Sequence, residues 1–175
     1  MANAGHADAQ TLNAIDASLA TAYIFGGHVD QGTALAKALK QRDPSSTRVD
    51  DALATYYNQQ AVAAMQAGKK DEAVADLENA ARAIPSRAVV LYTQAANVLA
   101  QGTTVDWKRV KAEADKALAV DGNDARANYV AGIALANGND AKSALPYLQK
   151  AKANAGSDAS LNADIDAALK KLGPK

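Results

Sequence analysis

Near the C-terminus the segment "SDASLNADIDAALKKLG" carries Leu161, Ile165, Leu169 and Leu172 on one helical stripe, with Asp158, Asn162, Asp166 and Lys170 opposite. That pattern predicts an amphipathic helix whose outer side faces water. Upstream, the apolar periodicity is made with much smaller residues, as in "AGKKDEAVADLENAARAIP", where Gly68, Ala73, Leu77, Ala80 and Pro85 fall at regular intervals. Asp71, Asp106, Asp124, Asp140 and Asp158 each precede or open an apolar-periodic segment, where a side-chain oxygen can cap free backbone N–H groups.

The same spacing returns along the chain. With 54–87 as one unit, Tyr57, Ala61, Gly68, Ala73, Leu77, Ala80 and Pro85 stand at positions 4, 8, 15, 20, 24, 27 and 32. Residues 125–158 repeat it with Gly132, Ala144, Leu148 and Ala151, while Asn139 takes the turn position and Gly156 replaces the proline. Between them, 88–124 is a 37-residue version with Ala95, Gly102, Val110, Ala114, Ala117 and Gly122, its extra residues in the turn "GTTVDW". A more degenerate unit, 13–46, keeps Ala20, Gly27 and Pro44 but has Gly32 and Leu39 at positions 20 and 27.

Each position has a physical reason. Small residues at 8 and 20 let two helices cross closely. Gly at 15 costs nothing in the left-handed conformation that ends the first helix. Pro85 drives the residue before it out of the helical region and closes the unit.

This recurrence resembles the tetratricopeptide repeat, a helix-turn-helix of 34 residues. The resemblance implies an all-α, right-handed superhelix of stacked helix pairs over about 13–158, preceded by a flexible segment 1–12. The helix of 159–175 is expected to be a solvating cap and not a fifth repeat. The family's concave wall is formed by the first helix of each pair, at positions 2, 5, 9, 12 and 13. Mapped here, that wall comprises Thr55, Asn58, Val62, Met65 and Gln66, with Val89 and Tyr92, and then Arg126 and Tyr129. What the resemblance implies for function is a non-enzymatic scaffold that binds a peptide or partner protein, set by analogy in a bacterial assembly, secretion or envelope complex. The alternatives are a self-associating structural protein whose groove takes another copy's terminal segment, and a small-molecule sensor.

Composition supports the helical reading. Ala is abundant and Phe and Trp occur once each, so the core must be built by close approach of backbones. The net charge is zero and Lys and Arg are dispersed among Asp, against a nucleic-acid or polybasic membrane surface. No apolar run reaches transmembrane length, and cysteine is absent. The first residues lack the pattern of a signal peptide, which leaves cytoplasmic and periplasmic settings both open.

Candidate chemistry is sparse, and neither a cofactor nor a catalytic group is expected. His6 and His28 are not at ligand spacing on a helix. Glu is confined to Glu72, Glu78 and Glu113, and the Asp residues are read as caps. The family's carboxylate clamp, a Lys at position 5 with an Asn at 9, is replaced by Asn58 and Val62, leaving Arg126 as a candidate partner for an acidic group. Tyr92 and Tyr129 have two readings, as packing residues with hydroxyls at the water edge or as binding anchors. Trp107 either plugs the gap left by the longer turn or projects as a contact. Pro146 is compatible with a helix beginning near Ser143.

Overall fold

The computed structural model describes residues 8–173, and His6 lies outside them. Among the described residues there are nine α-helices, one short 3-10 turn and no strand. The chain divides into two compact units, Met1–Gln60 and Ala61–Lys175.

The first unit holds α1 (Ala9–Phe25), α2 (Val29–Arg42) and the start of α3 (Arg48–Gln66). Helix α1 begins at Ala9, so the expected boundary between residues 12 and 13 falls inside it. Asp8 sets that start by accepting from the Thr11 N–H at 2.7 Å. Ala17, Ala20 and Ile24 of α1 and Gly32, Ala36 and Leu39 of α2 are buried. Gly32 is where the two helices cross: a Cβ there would lie 2.5 Å from Ile24 Cγ1 and 2.9 Å from the Ala20 carbonyl oxygen. Ion pairs link Arg42 to Asp16 and Lys40 to Asp50.

The second unit continues from the end of α3 through α4 (Lys70–Ala83), α5 (Ala88–Leu99), α6 (Trp107–Val120), α7 (Ala125–Asn137), α8 (Ala141–Asn154) and α9 (Ala159–Leu172). From α4 onward each helix packs on the next, and α5 also touches α7 as α7 touches α9. Alanine supplies the tightest contacts: Ala73, Ala80, Ala95, Ala114, Ala117, Ala144 and Ala151 have no exposed surface. Gly132 lets α7 approach α8, since a Cβ there would lie 2.7 Å from Leu148 Cγ.

Three hairpins close with one turn. The N–H groups of His28, Lys69 and Asp140 donate five residues back, to the carbonyls of Tyr23, Ala64 and Leu135. This is the Schellman closure, and it needs a left-handed residue just before the donor. Gly68 provides it with φ 73° and Asn139 with φ 65°, as the turn positions of the repeat require. Between α5 and α6 the longer link 100–106 replaces it.

The seams between pairs also repeat. Asn128 donates to the carbonyls of Gly122 and Asp124, and Asn162 donates to those of Gly156 and Asp158, 34 residues on. Asp124 caps α7 through the Ala127 N–H, and Asp158 caps α9 through the Leu161 N–H. Helix α9 therefore enters the stack as the first helix of a further pair. Its crossing position, occupied by Gly132 in α7, holds Asp166, which is ion-paired to Lys152 at 2.8 Å.

Two details depart from the sequence reading. Asp71 does not cap α4, because the turn leaves Lys69 at the cap position and Asp71 falls in the first turn, 2.6 Å from Arg109. Pro146 lies inside α8, whose start is fixed at Ala141 by Asp140 accepting from the Ser143 N–H. The pyrrolidine nitrogen has no hydrogen to donate to the carbonyl four residues earlier, that of the exposed Lys142.

Candidate partner-binding surface

The helix pairs of the second unit set their first helices, α5, α7 and α9, side by side. On this row the sequence-predicted residues recur at fixed places. Tyr92 is half-buried on α5, and Lys116 of α6 holds its ammonium 6.0 Å from the ring centroid. Tyr129, at the same repeat position on α7, is half-buried against a cluster of Ala151, Ala155, Leu161 and Ile165. Burial, and then the nearby Asp164 carboxylate, push its phenol above the ordinary tyrosine range. Tyr129 thus combines packing under α9 with an edge at the surface.

Arg126 is exposed, but its guanidinium is paired with Asp158. The acidic group it meets in this structure is thus one of the chain's own, in a solvent-exposed pair. Asp158 serves two purposes, since its other carboxylate oxygen caps α9. Val62 is 56 % exposed, and it lies with exposed Gln66 and half-buried Met65 on the last turns of α3 in the second unit. Thr55 and Asn58, both exposed, belong to the first unit, and the Thr55 hydroxyl donates back to the Asp51 carbonyl at 2.8 Å.

Beside Tyr92, α4 and α6 are laced by charge. Lys116 bridges Glu78 and Glu113, each at 2.7 Å. Its hydrogen bond holds the Glu78 carboxyl below the usual glutamate range, whereas burial pushes Glu113 above it. Glu113 Oε2 is buried without a hydrogen-bond partner.

A cleft of about 460 Å³ opens where α6 begins and α7 ends, lined by Val105, Trp107, Lys108, Lys111, Ala134 and Leu135. Trp107 is half-buried and lines this cleft beside the longer turn, which fits both of its readings. Lys111 went unnoticed in the sequence. It lies 4.7 Å from the Tyr147 ring centroid and is bonded to Asp115. The available signal was its place one helical turn after Trp107.

Among the described residues, no three His, Asp or Glu side chains converge at metal-binding range. His28 stands before α2 with its ring edge-on to Tyr23. No helix among these residues is long and apolar enough to cross a membrane.

The repeated hairpin turns, small-residue crossings and 34-residue seams define an all-α, tetratricopeptide-like helical-repeat protein. No protein-family model matches the sequence, and no curated protein matches it either. Among solved structures, the chain is similar to TTC0263, described as a thermophilic TPR protein in Thermus thermophilus. The identity is 22% over 89% of this chain and 80% of that one, with a TM-score of 0.47. It is also similar to MamA of AMB-1, at 21% identity over 81% and 78% of the two chains and a TM-score of 0.43. MamA RS-1, as a double mutant, aligns over 91% and 93% at 15% identity and a TM-score of 0.46.

Proposed function

We propose that the chain is a non-enzymatic scaffold that holds a peptide or partner protein against the α5–α7–α9 row of its second unit. The observation that carries this reading is the recurrence of Tyr92 and Tyr129 at one repeat position on adjacent first helices, each with part of its ring exposed. Tyrosine gives large contact area at low entropic cost. Helix α5 carries no charge and Arg126 of α7 is paired, which leaves the Asp164 carboxylate beside Tyr129 as the charge the row presents. The occupant is therefore an extended, mostly uncharged segment with no acidic group at that place. Val62 and Gln66 are the further contacts proposed in this unit, while Thr55 and Asn58 belong to the other and stay outside the reading. A bacterial assembly, secretion or envelope complex is proposed as the setting on the family resemblance alone.

The test is titration of a partner captured from the source organism against Tyr92→Ala and Tyr129→Ala, with denaturant unfolding of the same preparations. Loss of Tyr92 is expected to weaken binding by roughly 2 kcal/mol, about thirtyfold, with stability nearly unchanged. Loss of Tyr129 is expected to lower both affinity and unfolding free energy, since its ring also packs under α9. Full affinity in both variants would remove the tyrosines from the site.

A further inference from the structure

Helix α1 is apolar on two opposite faces. Ala17, Ala20 and Ile24 are buried within the first unit, whereas Leu12, Ile15 and Leu19 on the other side are 47 %, 55 % and 43 % exposed. A second apolar stripe of this kind on a surface helix marks a contact face. The outer residues follow the 3–4 spacing of a coiled-coil seam: Leu12 and Leu19 take position a, and Ile15 and Ala22 take position d. We propose that this seam pairs with α1 of a second copy of the chain.

The flanking positions fit an identical partner better than a different one. Unlike partners are commonly selected by opposite charges at e and g. Here those positions are Thr11, Asp16, Ser18, Tyr23 and Phe25, and the lone carboxylate among them is already paired with Arg42. Two copies brought together meet no repulsion. The Ser18 hydroxyl donates to the Ala14 carbonyl at 2.9 Å, so it enters the contact with its donor satisfied. Phe25, 49 % exposed, extends the apolar surface at the end of the helix.

The area sets the strength. Four half-exposed large side chains supply on the order of 400 Å² per copy, roughly 800 Å² in all, below the ~1,200 Å² of a stable standard interface. The dimer is therefore weak and dissociates on dilution.

Sedimentation equilibrium of the full chain over a wide concentration range tests this, beside Ile15→Asp and Leu19→Asp. A reversible monomer–dimer equilibrium is expected, weakened about a hundredfold or more by either buried charge, with unchanged helicity by circular dichroism. The chain lacks cysteine, so Ala14→Cys, exposed and outside the seam, carries a single nitroxide label, and dipolar spectroscopy is expected to place two labels at a separation set by two adjacent helices. A chain that stays monomeric at every concentration overturns the proposal, as does a dimer that both charged variants preserve. A monomer whose stripe binds neutral phosphatidylcholine vesicles instead assigns the face to lipid and also overturns it.

Discussion

Ala73 shows how little room the crossing positions leave. It has no exposed surface, so Ala73→Leu is expected to destabilise the fold by about 1–3 kcal/mol as the added atoms force packed helices apart. Thermal unfolding checks it, and an unchanged midpoint would contradict the repeat frame. Glu113 gives a pH-dependent counterpart. Burial raises its folded pKa above the unfolded value, so its favourable contribution is present below the unfolded pKa and lost as pH rises through the folded one. Glu78 runs the other way, its depressed pKa giving stability above the unfolded value that is lost as pH falls. Glu113→Gln is therefore expected to raise stability more at pH 7 than at pH 4, measured by denaturant unfolding at both. The small residues were legible in the sequence because steric demands repeat with the fold. The Glu78–Lys116–Glu113 bridge was not, since it joins side chains 38 residues apart on helices whose relative rotation only packing sets.

Among the helices, α9 depends most visibly on one residue. Asp158 caps it and holds Arg126, so Asp158→Ala is expected to cost about 1–2 kcal/mol and Asp158→Asn less, because asparagine keeps the cap. Thermal melts of the two variants separate capping from ion pairing, and equal losses would show that capping contributes nothing. The sequence showed four of the five proposed caps, which sit directly before their helices. Asp71 was misread because the hairpin turn, closed by the Lys69 N–H, places the cap of α4 at Lys69, two residues before its first carboxylate. Pro146 was misjudged for a similar reason: the cap at Asp140, not the proline, decides where α8 begins.

For the whole molecule, the repeating small residues and turns disclosed the class of fold, including the degenerate first hairpin. The division at Gln60 was invisible, because it lies within one uninterrupted helix with no glycine or proline to mark it. The surface residues were legible only as repeat positions. That Arg126 is engaged and Tyr129 is partly packed depends on α9, which the sequence presented as a cap and not as a neighbour in register. The repeated seam has a consequence for the length of the chain. Asp124 and Asp158 end their units with the same hydrogen bonds, so the polypeptide has two interchangeable joints. A second copy of 125–158 spliced between Asp158 and Ala159 would meet a familiar junction at each end, and nearest-neighbour stacking has no fixed stopping number. Such a lengthened protein is expected to fold with proportionally greater helical signal and a melting temperature no lower than the parent's, as circular dichroism would show. In this view the joint at Asp158, and not the total length, is the unit that carries the stacking.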